Sequence, residues 1–137
     1  MKNKLLSLAL GIMSSLICIN LQANIKNANP GNYLSFINSL VPGDTLNLAA
    51  GNYVNNLKLT GLNGTNSQPI VITGQGNTTV FQGQSCCNTV SITQCSYLII
   101  RNLQLDGLNQ EVDAIKGEGT AGNWAHHITL EYLNIME

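Results

Sequence analysis

The polar side chains that could do chemistry are concentrated in the last third of this 137-residue sequence. Arg101 and Glu131 are 30 residues apart, and so are Tyr97 and His127. An exposed sheet face that carries these four residue types could bind a sugar polymer. The alternative is structural, because a surface Arg–Glu pair contributes less than about 1 kcal/mol and Tyr–His stacking is an ordinary cross-strand contact.

The expected contacts between these residues follow from the alternation of side chains along a strand. If Ile128 and Leu130 point into a core, the residues on either side of each point outward. Neighbouring parallel strands lie about 4.8 Å apart. Arg101 is therefore predicted to lie beside Glu131, with the tyrosine beside the histidine.

A second group of charged residues occupies the segment "LDGLNQEVDAIKGEG". Asp106, Asp113 and Glu118 are candidate ligands for Ca²⁺, which prefers six to eight oxygen ligands. The spacing lacks the regularity of an EF-hand, so solvated turn carboxylates are the alternative. Lys116, among these acids, is expected to stay protonated and to be a poor catalytic base.

Two further side chains suggest binding. Trp124 could stack on a sugar ring or cover the edge of the core. His126 and His127 are adjacent, and adjacent strand residues point to opposite faces, so both could bind one ion only if the strand bulged. We therefore interpret His126 as a turn residue.

The elements that must position these residues form a repeat. Three apolar segments align at steps of 28 and 30 residues, namely "PIVITG" (69–74), "YLIIRNLQLDG" (97–107) and "HITLEYLNI" (127–135). In this alignment Ile70 matches Leu98 and Ile128, and the isoleucines at 72 and 100 match Leu130. Shorter strand-like segments lie between them, at 79–83, 88–93 and 113–119. A repeat of this length indicates a solenoid, in which each unit buries its apolar face against the next.

Three short strands in about 28 residues predict an all-β fold, a right-handed parallel β-helix with an N-terminal cap and about three rungs. Leu34, Phe36, Ile37 and Leu40 indicate one short amphipathic helix in the cap, followed by strands in "TLNLAAGNYV". A β-sandwich is the rival, but it requires hairpin turns, and these connections are irregular in length.

The segments "VPGDTLNLAAGNY", "GLNGTNSQPIVITGQG" and "SYLIIRNLQLDG" resemble the N-terminal region of secreted, pectate-lyase-like parallel β-helix proteins, including chondroitinase B-type and alginate lyases. The resemblance covers residues 39–135 and is specific for the fold, since its motifs are turns and core positions. It implies a lyase that acts by β-elimination on a uronic-acid-containing polysaccharide, with catalytic residues on later rungs. Alternatives on the same scaffold are a non-catalytic surface, adhesion or carbohydrate-binding protein, and a hydrolase or epimerase.

The N-terminal segment predicts export. Residues 1–23 combine two lysines, the apolar run "LLSLALGIMSSLICI" and a final Ala23, the order of a secretory signal peptide. The rival is a membrane anchor, but the run falls short of the roughly 20 residues that span a bilayer. The predicted location is secreted, periplasmic or at the cell surface.

Residues 24–137 form the predicted β-helix domain, with four basic and seven acidic residues and a net charge of −3. No basic face is available for nucleic acid. An acidic polysaccharide, the expected partner, would be held only locally or through bridging cations.

Three cysteines remain in this domain. In an exported protein one of the pair Cys86 and Cys87 could form a disulfide with Cys95, or the cysteines could pack as small apolar residues. Their spacing does not suit a structural zinc site.

The sequence stops within a strand-like segment. A β-helix that ended at Glu137 would expose unpaired strand N–H and C=O groups and an open core. We therefore expect this chain to be the first part of a longer protein. This part is expected to lack the complete active site, which leaves open whether it is itself an enzyme.

Overall fold

The computed structural model describes residues 23–137, and nearly all of its regular structure is β-strand. The predicted signal peptide, apart from Ala23, lies outside the described residues. The elements in chain order are β1 Ile25–Ala28, α1 Tyr33–Ile37, β2 Thr45–Leu48, β3 Gly51–Tyr53, β4 Leu57–Thr60, β5 Ile70–Gln82, β6 Val90–Thr93, β7 Ser96–Asp106, β8 Ile115–Thr120, β9 Asn123–Trp124 and β10 His126–Met136. None of the helices within residues 23–137 has the length and apolar character needed to cross a bilayer.

The strands pair with strands one turn away in the chain. One sheet has the order β1-β2-β5-β7-β10, with β3 also pairing β5, and the other has the order β4-β6-β8-β9. Every pairing between these strands is parallel except the short antiparallel contact of β8 with β9. The chain thus forms a β-solenoid of about three turns. This confirms the parallel β-helix and excludes the β-sandwich, which is built from antiparallel sheets.

The predicted register between turns is confirmed. Ile70 pairs with Leu98, which pairs with Ile128, and the column beside it contains Ile72, Ile100 and Leu130. The first two members of each column are fully buried, whereas Leu130 on β10 is 45% exposed. Stacked aliphatic columns of this kind form the core because alternate side chains of every strand point to the same side.

The long strands bend at left-handed residues. Asn102 in β7 has φ +55° and Tyr132 in β10 has φ +51°, one turn apart. Asparagine adopts this conformation more readily than most residues. In β5 the left-handed residue is Gly76, with φ +65° and a register shift on either side of it. The segments predicted separately at 69–74 and 79–83 are thus joined in the single strand β5.

The N-terminal cap packs on a cluster of three buried aromatic rings. The Tyr53 and Phe81 rings stack with centroids 4.6 Å apart, and the Tyr33 ring contacts both edge-on at 5.0 and 5.7 Å. The Tyr33 hydroxyl donates a hydrogen bond to the Asn55 carbonyl at 2.8 Å. Tyr33 opens α1, so the predicted short helix is present and covers the first turn of the core.

The disulfide predicted between Cys95 and one of the pair Cys86 and Cys87 is not the one that the structure contains. Cys86 is bonded to Cys87 in the turn before β6, while Cys95 is free and buried. The pairing with Cys95 is wrong because the four-residue strand β6 separates the sites by about 13 Å, beyond the roughly 7 Å that a disulfide spans. For Cys95 the packing interpretation is confirmed.

Burial raises the pKa of the Cys95 thiol, although the Leu62, Gly61 and Thr93 backbone groups partly oppose this shift. A buried, protonated thiol reacts poorly because the thiolate is the nucleophile. We expect native oxidised protein, residues 24–137, to take up no iodoacetamide and denatured protein to take up one equivalent, by mass spectrometry. Labelling of the native protein, or of three thiols without reductant, would contradict this arrangement.

Candidate functional site

A column of polar side chains runs across the outer face of the larger sheet. Its five residues pair in register from β1 to β10, and we call them the polar column: Asn27, Asn47, Thr73, Arg101 and Glu131. Four inter-strand steps of about 4.8 Å give it a length of about 19 Å. The Asn47 amide donates a hydrogen bond to the Asn27 amide oxygen at 3.3 Å. The arrangement is a linear row of hydrogen-bonding groups on one exposed surface.

The predicted pairing of Arg101 with Glu131 is confirmed, but the contact is loose. Arg101 Nη1 lies 3.9 Å from Glu131 Oε2, and the two side chains are 41% and 38% exposed. The Arg101 Nε atom is buried and has no hydrogen-bond partner within the described part of the chain. Since a guanidinium carries five N–H donors, Arg101 keeps donors for an incoming acceptor.

The predicted stacking of Tyr97 on His127 is also confirmed. The two rings are nearly parallel, with centroids 4.4 Å apart and an interplanar angle of 13°. They line a groove of about 300 Å³ together with the loop residues Thr65, Asn66 and Pro69. A volume of this size is at the lower end of ligand-binding clefts.

A second groove lies beside the earlier part of the polar column. Its volume is about 310 Å³, and Asn27, Asn47, Thr73 and Gln75 contribute its polar lining. Sequence reasoning missed the two asparagines because it aligned only three rungs and assigned no strand at 25–28. The signal available in the sequence was the strand "TLNL", in which polar and apolar residues alternate and the asparagine amide therefore points outward.

The structure changes the interpretation of His126. This residue is the first residue of β10, and its backbone N–H donates to the Cys95 carbonyl at 3.0 Å, so it is not a turn residue. His127 has φ +53°, a left-handed conformation that the sequence did not reveal. As a result the Nδ1 atoms of His126 and His127 approach to 2.6 Å.

The acidic residues after β7 do not converge. Asp106 accepts a hydrogen bond from the Leu108 N–H at 3.1 Å, while Asp113 and Glu118 contact the Lys116 ammonium at 4.0 and 3.3 Å. Within residues 23–137 no group of three or more His, Cys, Asp or Glu side chains could hold a metal ion. The carboxylates in this arrangement do not provide the six to eight oxygens of a Ca²⁺ site, and calcium binding stays a prediction.

Trp124 lies apart from the polar column. It belongs to β9, pairs with Gly119 of β8 in the smaller sheet, and lines neither groove described above. Its side chain is 59% exposed, so the indole is accessible for stacking. Its role in sugar binding stays a prediction.

Comparison with known proteins adds structural but no sequence relatives. No protein-family model and no curated protein sequence matches this chain. The chain is similar to the solved structure of the PL6 family alginate lyase AlyGC, with a TM-score of 0.60 and 19% identity over 81% of this chain. It is similarly close to a mannuronic acid specific polysaccharide lyase of family 6 from human gut microbiota, with a TM-score of 0.61 and 21% identity over 80%.

These similarities confirm the fold that the sequence resemblance implied, a right-handed parallel β-helix. The matched part is a minor share of each neighbour. The chain spans 15% of the length of the first and 26% of the second.

Proposed function

We propose that this protein is an exported polysaccharide lyase that acts by β-elimination on a uronic-acid-containing polymer, and that the polar column binds the polymer. The observation that carries the proposal is the partly exposed Arg101 guanidinium of the polar column, which a loose contact of 3.9 Å joins to Glu131. A guanidinium held this loosely on an open sheet face suits a carboxylate, which it can bind with two parallel hydrogen bonds. The similarity of the fold to two polysaccharide lyases supports this choice.

The polar column offers different groups along its length. The amides of Asn27 and Asn47 can exchange hydrogen bonds with sugar hydroxyls, and Arg101 can hold a carboxylate. Glu131 can accept hydrogen bonds from hydroxyls but repels a second carboxylate placed beside it. Because residues 24–137 have a net charge of −3, attraction of an acidic polymer is local to Arg101 or uses bridging cations, among which Ca²⁺ is the proposed one.

The chemistry of β-elimination divides into three tasks. The substrate carboxylate must be neutralised, the proton beside it removed, and the leaving oxygen expelled. Arg101 is suited to the first task. Lys116 is not suited to the second, since its ammonium contacts the carboxylates of Asp113 and Glu118. We therefore assign polymer binding to the described turns and leave the proton transfers unassigned.

A non-catalytic carbohydrate-binding or surface protein is the second candidate. It is favoured by the composition of the polar column, which contains no lysine that could remove the proton in β-elimination. The two functions differ in their products. Incubation of the protein with polyuronates should release chains with unsaturated, ultraviolet-absorbing ends if it is a lyase. Bound polymer of unchanged length would favour the binding protein, and hydrolysis to saturated ends would contradict the lyase.

We expect Arg101→Ala to weaken binding of a uronic acid oligosaccharide by about tenfold or more. A hydrogen bond to a charged group contributes about 1.5–3 kcal/mol, and about 1.4 kcal/mol corresponds to a factor of ten in affinity. Isothermal titration calorimetry on residues 24–137 measures this change.

The matched control is Lys58→Ala, which removes an exposed cation from β4 in the other sheet. It should leave the affinity unchanged. An equal decrease in affinity for both variants would indicate a general charge effect. An unchanged affinity of Arg101→Ala would show that the Arg101–Glu131 pair is an ordinary surface contact.

A further inference from the structure

We propose that His126 and His127 form a two-nitrogen binding site for a divalent transition-metal ion, with Cu²⁺ as the best-fitting ion and Ni²⁺ next. The proposal is independent of polysaccharide binding. It rests on the convergence of two neighbouring imidazoles on one surface, which a regular strand does not allow because adjacent side chains point to opposite faces.

The convergence is produced by the backbone. His127 has φ +53°, a left-handed conformation that is uncommon for residues other than glycine, and this brings its ring to the side of His126. The same conformation occurs one turn earlier at Tyr97, with φ +51°. The left-handed kink at His127 therefore repeats a kink in the preceding turn.

The rings are also held by their neighbours. The Tyr97 ring stacks on the His127 ring at 4.4 Å and meets the His126 ring edge-on at 6.1 Å. The two imidazoles lie at 79° to each other, with centroids 4.9 Å apart. A pair of ligands fixed in this way loses little conformational freedom on binding, which favours affinity.

The distance between the two Nδ1 atoms selects the geometry of the ion. At 2.6 Å the two nitrogens are within hydrogen-bonding distance of each other. A metal ion bound by both, with bonds of about 2.05 Å, would separate them to about 2.9 Å at a right angle and to about 3.3 Å at the tetrahedral angle. The right-angled arrangement requires the smaller movement, and tetragonal coordination by nitrogen and oxygen is typical of Cu²⁺ and Ni²⁺.

Both histidines are exposed, and His127 also lines the groove beside Tyr97. The remaining coordination positions of the ion thus face solvent, where water or the oxygen atoms of a ligand can occupy them. The site is open, unlike the closed four-ligand sites of structural metals.

The test is titration of tag-free protein, residues 24–137, with Cu²⁺, followed by calorimetry and electron paramagnetic resonance. These are the only two histidines in the sequence. We expect one Cu²⁺ per chain with hyperfine coupling to two imidazole nitrogens. His126→Ala and His127→Ala should each leave one coupled imidazole and lower affinity by about tenfold or more, since even outer-shell partners contribute that much.

The control variant is Thr129→Ala, the next outward residue of β10, which should bind as the unchanged protein does. Unchanged circular dichroism of every variant checks that the fold persists. The proposal is overturned if the double variant His126→Ala/His127→Ala binds Cu²⁺ as tightly as the unchanged protein, or if the unchanged protein shows coupling to fewer than two imidazoles.

Discussion

Replacing Phe81 with alanine is expected to lower the free energy of unfolding by about 3–5 kcal/mol, the usual cost of removing a buried phenylalanine side chain. Phe81 is fully buried and contacts both other rings of the aromatic cluster, Tyr53 at 4.6 Å and Tyr33 at 5.7 Å. Its loss leaves a cavity between the cap and the first turns, which rigid β-strands on either side cannot collapse to fill. Urea denaturation of residues 24–137 measures the change.

The matched control is Phe36→Ala, because Phe36 and Phe81 are the two phenylalanines of the sequence. Phe36 lies on α1 and is only partly buried against the core, so its truncation removes less apolar area from the folded state. If Phe36→Ala lowered the free energy of unfolding as much as Phe81→Ala does, the central position of the aromatic cluster would be contradicted.

Replacing Asp44 with alanine is expected to lower the free energy of unfolding by about 3 kcal/mol. Removing one partner of a buried ion pair leaves the groups that contacted it without a partner. The Asp44 carboxylate is fully buried and lies 2.8 Å from the Lys26 ammonium. It also accepts hydrogen bonds from the Asn24 and Val41 N–H groups, each at 3.1 Å. It thereby ties β1 to the turn before β2. Thermal and urea unfolding measure the loss.

The same carboxylate predicts a dependence of stability on pH. Burial acts to raise the pKa of Asp44, but the hydrogen bonds from Lys26, Val41 and Asn24 and the charge of Lys26 outweigh it and hold the pKa below its usual value of 3.8. A lowered pKa in the folded state contributes stability above the usual pKa, and this contribution is lost as the pH falls through the folded pKa.

Asp44→Asn is the variant that isolates this effect, because it keeps the shape of the side chain and removes its titration. The stability difference between the unchanged protein and Asp44→Asn should be constant at neutral pH and should shrink as the pH falls below 3.8. A difference that stays constant into that acid range would show that the carboxylate does not titrate with a lowered pKa.

The sequence predicted the turns of the solenoid because the signal for them is local and repeated. Aliphatic residues alternate along each strand, and equivalent ones recur at 70, 98 and 128, which is a nearly constant step. When such strands pair in parallel, one register places their aliphatic side chains together in the core. The contacts of Arg101 with Glu131 and of Tyr97 with His127 then followed from the period of two along a strand.

Other features of the site left no such signal. β1 reads "IKNA" and β4 reads "LKLT", four-residue strands that only their partners in neighbouring turns define. Asn27 was missed because β1 was not predicted, and Asn47 was missed because β2, although predicted as a strand, was not aligned with the three rungs. The left-handed conformation of His127 was missed because no glycine marks the position, although histidine adopts this conformation more readily than most residues.

We propose that the outer face of the larger sheet binds an acidic polysaccharide through the polar column. Titration of isotope-labelled protein with a uronic acid oligosaccharide, followed by nuclear magnetic resonance residue by residue, tests it most directly. We expect chemical-shift changes concentrated at Thr73, Arg101 and Glu131, and little response to a neutral oligosaccharide of equal length. Shifts confined to β4, β6 and β8, or an equal response to the neutral sugar, would contradict it.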